Sequence, residues 1–308
     1  MSRIVYAIIV VYNGLPWLEK CIGGLLTSTI HVSVIVVDNG SADGSVDFIT
    51  THFKDITFIK SKENLGFGRA NNIGIKKAYE LGADFVFLLN QDAWVEAKTI
   101  QILVDSLSNN KDYGIVSPMH LNGNGNALDD GFSSYIIPEK CKGLYSDLYL
   151  KSVQKDIYEA TFINAAAWLI SRDCIEIVGG FSPAFFHYAE DVNYVDRLKF
   201  YSLKIGVCPN CQINHDRENR KKSEFTVEKK LLENQLFLHY LNPNLENSIE
   251  KDLNYLKTNY FKRLLFLRFK DAERILLKIK FLKSNSDMLV SVLKESLNNK
   301  LAFINRND

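Results

Sequence analysis

Long hydrophobic runs are missing from this chain. No stretch approaches the roughly 18 consecutive apolar residues that a membrane-spanning helix needs, so none is expected to span a bilayer. A secretory leader is missing too: Met1-Ser2-Arg3 runs straight into "IVYAIIVVYN", which is too short and has no small-residue cleavage site. Cysteine is sparse and odd in number, with Cys21, Cys141, Cys174, Cys208 and Cys211 scattered along the chain. That fits a reducing, cytoplasmic compartment better than a disulfide framework. Cys208 and Cys211 form a C-x-x-C, but no second pair stands nearby, which favours ordinary strand-end thiols over a zinc or redox site. Charge of one sign is not in excess either. The formal net charge is +1, so bulk charge names no partner and no nucleic acid is expected. No internal repeat or low-complexity segment interrupts the chain.

What is present is an ordinary globular composition, 46% apolar and 24% charged over 308 residues. That length accommodates one large α/β domain, or a domain plus an appendage. The first 118 residues alternate regularly. Continuous β-branched runs at 4–12, 32–38, 56–60, 84–89 and 113–118 predict strands covered on both faces. Helical spacing fills the gaps at 15–28, from Asp43 to about His52, at 67–81 and at 96–109. Pro16 is tolerated in a first turn and Gly82 follows a helix end. This order predicts right-handed βαβ units and a Rossmann-like, mostly parallel sheet with flanking helices. Residues 119–160 show no clear period and predict a long excursion near a binding face. Strand then short helix is expected over 165–181, a helix over 190–201 and a strand over 203–209. From about Phe225 the pattern is helical throughout, and residues 255–283 are strongly basic with interleaved aromatic and aliphatic residues. Such a helix is expected to contact the inner face of a membrane, the alternative being a hairpin packed on the body with solvated lysines.

In an open parallel sheet, ligands bind beyond the carboxyl ends of the strands. Those ends here read Val11-Tyr12-Asn13, Asp38-Asn39-Gly40, Asn64-Leu65-Gly66 and Asn90-Gln91-Asp92, all polar or small and expected in one crevice. Gly66-x-Gly68 invites a dinucleotide reading. However, Asn71 replaces the third glycine, and the pattern follows the third strand rather than the first. Arg69 and a helix start beside the crevice still suit a phosphate group. Asp38 is either a turn residue or an acceptor for a base N–H or ribose hydroxyl. Asp92 is either a helix-approach residue or a ligand for a divalent ion bound to a diphosphate, which needs only one or two carboxylates. Glu190-Asp191 opens a helix after Phe185-Phe186-His187-Tyr188. The pair reads as a general base with its neighbour, against the plainer role of capping. His215 follows a short strand and is a candidate metal ligand.

Taken together and in order, "VVYN", "VVDNGSADGS", "ENLGFGRANNIGI", "LLNQDA" and "GGFSPAFFHYAEDVNYVDRL" resemble family 2 glycosyltransferases of the GT-A fold, and within them the rhamnosyltransferase-like enzymes of bacterial surface polysaccharide assembly. The resemblance covers about residues 3–220. It implies a GT-A catalytic domain over 1–220, with a donor-nucleotide half over about 1–118 and an acceptor half over 119–220, and a basic helical extension over 221–308. It implies inverting transfer from a nucleotide-sugar donor, dTDP-rhamnose or a UDP-sugar, to a glycan or lipid-linked acceptor. Val11, Tyr12, Asn13 and Asp38 would hold base and ribose, and Asn64, Gly66, Arg69 and Asn72 would lie along the nucleotide and its diphosphate. Asn90 and Gln91 would stand in the place of the family's D-x-D, with Asp92 and His215 on Mg²⁺ or Mn²⁺. Asp191 would be the catalytic base with Glu190 beside it. Asn90 departs from the usual first carboxylate, which implies weaker ion affinity without donor, and Asn164 stands where glycine is common. A sugar nucleotidyltransferase would instead show a glycine-rich, Arg-containing loop after the first strand, where this chain has "YNGLPW". A catalytically silent sugar-nucleotide-binding protein would not need Asp92, Glu190, Asp191 and His215 intact. A homo-oligomer is left open.

Overall fold

The computed structural model of the chain describes residues 3–217, 227–298 and 300–305. The expected boundary at 220/221 and the expected start of the helical tail near Phe225 lie outside the described residues. The first half follows the predicted alternation: β1 (Val5–Val11), α1 (Leu18–Leu26), β2 (Ser33–Asp38), α2 (Ser45–His52), β3 (Thr57–Lys60), α3 (Phe67–Glu80) and β4 (Phe85–Asn90). A short strand that the sequence pattern did not reveal, β5 (Ala93–Val95), precedes α4 (Thr99–Asn109). The fifth predicted strand, β6 (Tyr113–Asn122), runs on beyond its expected end at 118. The aperiodic middle holds α5 (Asp130–Ser133), α6 (Leu144–Tyr149) and β7 (Tyr158–Ala160). Then come β8 (Ala167–Ser171), α7 (Arg172–Val178), α8 (Glu190–Phe200) and β9 (Lys204–His215). The tail consists of α9 (Val227–Tyr240), α10 (Ile249–Leu265) and α11 (Phe269–Asn298).

The β-branched runs are continuous because both faces of the sheet are covered. Ile8, Ile35, Val37, Val86 and Leu88 point into one core, and Ala7, Ile9, Val11, Val36, Phe87 and Leu89 into the other. A one-residue slip would exchange these sets, so the register is firmly specified.

The strand order is β3-β2-β1-β4-β8-β6-β9-β5, with β7 also on β9. β1, β2, β3 and β4 are mutually parallel, as predicted. A mostly parallel sheet was expected throughout. Instead β8 enters antiparallel between β4 and β6, so the second half of the sheet is mixed. The residues Ala167 to Ile170 are buried on both faces, and only an interior seat in the sheet provides that. The consequence is topological. An antiparallel strand beside β4 brings its amino end, Asn164-Ala165-Ala166, to the edge where β1, β2 and β4 end.

The tail is helical, as predicted, but broken at 241–248 and 266–268. Leu282, Leu289 and Val292 of α11 share a core with Tyr240, Leu241 and Phe185. Past α11 the chain folds back on the body: the Leu301 amide donates to Glu176 O at 3.2 Å and the Gly180 amide to Ala302 O at 2.8 Å. Gly179 has φ +83°, and a Cβ there would lie 2.2 Å from Ala302 O, so the glycine pair makes room for this return. No helix among the described residues is long and apolar enough to cross a membrane.

Candidate active site

The ends of β1 and β2 are stitched by backbone-directed side chains. Asn13, held at φ +51°, accepts from the Ala42 amide at 2.9 Å, and its own amide donates to Ser41 Oγ at 3.0 Å. Asp38 is fully buried at the strand end and accepts from the Ser41 amide at 3.3 Å. Gln91 grips Tyr12 twice, accepting from its amide at 2.8 Å and donating to its carbonyl at 3.2 Å. That pair fixes the β1 end against the β4 end, and Tyr12 is 46% exposed. Asn39 links onward: its Nδ2 donates to Asn64 Oδ1 at 3.0 Å, and its Oδ1 accepts from the Leu65 amide at 2.8 Å. Val11 contributes its buried side chain to the core and its carbonyl to the Asn39 amide at 2.7 Å.

Three residues expected along the diphosphate have a different neighbour. Gly66 has φ +83°, and a Cβ there would lie 2.0 Å from Phe186 O, so its lack of a side chain admits the aromatic loop. Arg69 donates to Pro183 O at 3.1 Å. Asn72 is buried and committed to backbone, with Nδ2 donating to Phe181 O at 2.8 Å and Oδ1 accepting from the Phe181 amide at 2.7 Å. The "NLGFGRANN" segment thus fastens the first half of the sheet to the 181–186 segment that leads into α8.

The end of β4 carries the second cluster. Asp92 is buried, and its carbonyl accepts from the Asp216 amide at 2.9 Å, while Ala93 pairs with His215 across β5 and β9. His215 was expected after a separate short strand. It is the last residue of one long strand, and this pairing is what brings it to Asp92. His215 Nε2 lies 3.5 Å from Asp92 Oδ1 and 3.5 Å from Asn90 Nδ2. Its Nδ1 lies 3.3 Å from Asp129 Oδ2. Arg217 Nε lies 3.2 Å from that oxygen and 3.3 Å from Nδ1, and the carboxylate is the stronger acceptor for both N–H groups. A proton on Nδ1 turns the Nε2 lone pair towards Asp92, the arrangement in which a carboxylate orients a metal-ligating imidazole.

Asp129 also caps α5, accepting from the Phe132 amide at 2.7 Å. Burial opposes its ionisation, but the His215 contact, the Phe132 amide and the Arg217 guanidinium prevail and hold it down at about 2. Sequence reading left Asp129 within the aperiodic excursion; the only signal was its place before Asp130-Gly131, which also suits a simple turn. Behind it, His120 is fully buried, bonded to Ser117 Oγ at 2.9 Å and stacked on Phe132. Burial holds this imidazole well below its usual range, so it is neutral packing.

Among the described residues, no group of three or more His, Cys, Asp or Glu is arranged to hold a metal unaided. Asp92 and His215 supply one carboxylate oxygen and one oriented imidazole. Two such donors fit a divalent ion that takes its remaining ligands from a diphosphate and water.

The third component is the start of α8. Tyr188 and Ala189 both have positive φ, 68° and 76°, which turns the chain sharply into the helix. Glu190 is 5% exposed, and its Oε2 has no hydrogen-bond partner among the described residues. Burial, and then the neighbouring Asp191, push its carboxyl up to about 8. Burial raises the Asp191 carboxyl above its ordinary value, and the Val192 and Ala165 amides and Arg217 offset only part of this. The helix is anchored by Arg197, fully buried and bonded to Val178 O at 2.6 Å and Gly180 O at 2.5 Å, an anchor that sequence reading did not single out.

The two carboxylate clusters meet through β8. The Ala165 amide lies near enough to Asp191 to favour its charged form, while the next residue's carbonyl, Ala166 O, accepts from the Asn90 amide at 2.9 Å. The Asp191 carboxylate and the Asn90-Gln91-Asp92 strand end therefore flank one short piece of chain. Asn164, just before it, has a buried Oδ1 without a hydrogen-bond partner among the described residues.

Comparison with known proteins bears on this geometry. The family model for glycosyl transferase family 2 matches residues 6–175. The chain is 23% identical over 237 residues to the N-acetylglucosaminyl-diphospho-decaprenol L-rhamnosyltransferase of Mycobacterium tuberculosis, covering 70% of this chain and 77% of that protein. It is 25% identical over 219 residues to the dTDP-rhamnosyl transferase RfbF of Shigella flexneri, covering 70% of each. Among solved structures, GalNAc-T7 with UDP, GalNAc and Mn²⁺ superposes with a TM-score of 0.60 at 14% identity, over 81% of this chain and 53% of that one. TarS of S. aureus in complex with UDP-GlcNAc does so at 0.56 and 14%, over 79% and 68%.

Proposed function

Because the chain belongs to glycosyl transferase family 2 and is a glycosyltransferase of GT-A fold, we propose that it moves a sugar from a nucleotide-diphosphate donor, with inversion, to a hydroxyl of a glycan or lipid-linked acceptor in surface polysaccharide synthesis. The observation that supports this reading is that Asp191 and the β4 end are neighbours of the same two residues, Ala165 and Ala166. The similarity to rhamnosyltransferases named for a dTDP-linked donor and a diphospho-decaprenol acceptor supports a rhamnosyl donor and a lipid-linked acceptor.

Tyr12 and Asp38 face the base and ribose. The ribose and phosphates then run towards Asn90 and Asp92. A divalent cation held by Asp92 and His215 would offset charge on the departing diphosphate. Asp129 keeps His215 in its liganding tautomer. Asp191 takes the proton from the acceptor hydroxyl as that oxygen bonds to the anomeric carbon. The bond from that carbon to the phosphate oxygen breaks on the opposite face, and the nucleoside diphosphate leaves with the electron pair. Glu190, held protonated to about 8, presents an O–H beside Asp191 near neutral pH. Their different environments give two adjacent carboxyls two different tasks.

The test is Asp191→Asn, assayed with dTDP-, UDP- and GDP-sugars and Mn²⁺. Turnover is expected to fall by about 10²–10⁴-fold while donor binding, read by thermal shift, persists. Near-full turnover in this variant would remove Asp191 from the role of base.

A further inference from the structure

The tail is uneven in a way the sequence pattern alone did not show. The face of α11 that includes Ile279 and Leu282 is buried, so the lower part of the hairpin of α10 and α11 is ordinary packing. The core joining hairpin to body extends no further than Leu256 on α10 and Phe281 on α11. Phe269 lies twelve residues beyond Phe281, so the tip projects about 18 Å past that core.

At the tip the pattern inverts. Phe261, Leu265, Phe266, Leu267 and Phe269 are 62–79% exposed, and α10 has no buried residue at all. The connection is nevertheless a defined turn, with the Arg268 amide donating to Arg263 O at 2.8 Å and Leu267 at φ +53°. Cations surround the apolar tip: from Lys257 to Arg274 there are six Lys or Arg against only Asp271 and Glu273. Asp271 is already paired with Arg268 at 2.6 Å.

We propose that the turn between α10 and α11 is a membrane-docking tip that inserts Leu265, Phe266, Leu267 and Phe269 into the interface of an anionic bilayer. Lys262, Arg263 and Lys270 contact lipid headgroups. Charge complementarity selects this occupant. A contiguous apolar patch on a soluble face carries a solubility cost and marks an interaction site, and a ring of cations behind an apolar apex matches an anionic headgroup layer over acyl chains. The root of the same hairpin packs on Phe185, which leads into Glu190 and Asp191. A docked tip therefore tethers the carboxylate side of the site to the membrane surface, which carries any lipid-linked acceptor. The docking itself is independent of the role given to Asp191.

The test is sedimentation of the full chain with phosphatidylcholine vesicles, with and without phosphatidylglycerol, at low and high salt. Binding is expected only with phosphatidylglycerol and is expected to weaken with salt. Phe266→Ser with Leu267→Ser and Phe269→Ser should lose at least tenfold in partitioning while keeping the melting temperature and turnover on a soluble acceptor. Lys262→Glu with Arg263→Glu and Lys270→Glu should lose the preference for phosphatidylglycerol, since each cation contributes about fivefold. Phe266→Trp should show a blue-shifted emission on adding anionic vesicles. No sedimentation of the wild type at low salt, or no blue shift, overturns the proposal. So does a self-association, seen by light scattering, that the triple serine variant abolishes while vesicle binding is unchanged: the occupant is then a second copy of the chain. Normal turnover with lost vesicle binding separates failure at the tip from failure at the active site.

Discussion

Glu190→Gln should stabilise the protein, and increasingly so as pH rises. The wild-type carboxyl is buried, with one oxygen unpartnered among the described residues. It titrates from an ordinary value of 4.5 in the unfolded chain and about 8 in the folded one. Below 4.5 both states hold the proton and the group contributes no pH dependence. Between 4.5 and about 8 the unfolded chain has released the proton while the folded state keeps it, so stability falls as pH rises. The slope is about 1.4 kcal/mol per pH unit, which sets a ceiling near 5 kcal/mol at the top of the window; about 2–4 kcal/mol is expected, because water entering an open site lowers the penalty. Glutamine has nearly the same shape and cannot ionise, so its curve should lack this slope. Urea denaturation of both proteins across the window provides the measurement. The stability difference, variant minus wild type, should be small near pH 5 and grow steadily towards pH 8. Parallel curves would refute the reasoning, since they would mean that Glu190 titrates alike in both states. The gain should come with lost turnover, as expected where a site group is kept at a cost in stability.

Two further outcomes follow from the site. Asp129→Asn retains a helix cap for α5 but weakens the hold on the His215 tautomer. Mn²⁺ affinity in the presence of a nucleoside diphosphate, read by electron paramagnetic resonance, should fall by about 10–100-fold; unchanged affinity removes Asp129 from this role. Asn72→Ala should lower stability by about 2–4 kcal/mol, because it strands the buried amide and carbonyl of Phe181. Nucleoside diphosphate binding by the folded variant should be unchanged; a selective loss of binding would restore Asn72 to the diphosphate.

The order of strands and helices through β4 and the place of Glu190-Asp191 at a helix start were legible because each is written locally. β-branched runs declare buried strands, and polar residues that interrupt them declare the rim. A resemblance across ordered motifs gave the family, which comparison then showed. Partnership was not legible. Gly66, Arg69 and Asn72 looked like a phosphate cradle, yet their neighbour is a segment more than a hundred positions later. Asp129 looked like loop, because nothing near it in sequence reveals that β6 and β9 pair side by side and carry His215 to it. The basic tail read as one amphipathic surface; the fold buried one face of α11 and left the turn after α10 among its most exposed apolar parts.

The sequence alone thus determined where strands, helix starts and candidate carboxylates stand, since hydrophobic period and turn chemistry are local properties of the chain. The tertiary structure decided which of those groups share a space. The antiparallel entry of β8 brought Ala165 and Ala166 between Asp191 and Asn90. Its residues are buried on both faces and need an interior place, and no local pattern says which two strands will provide it.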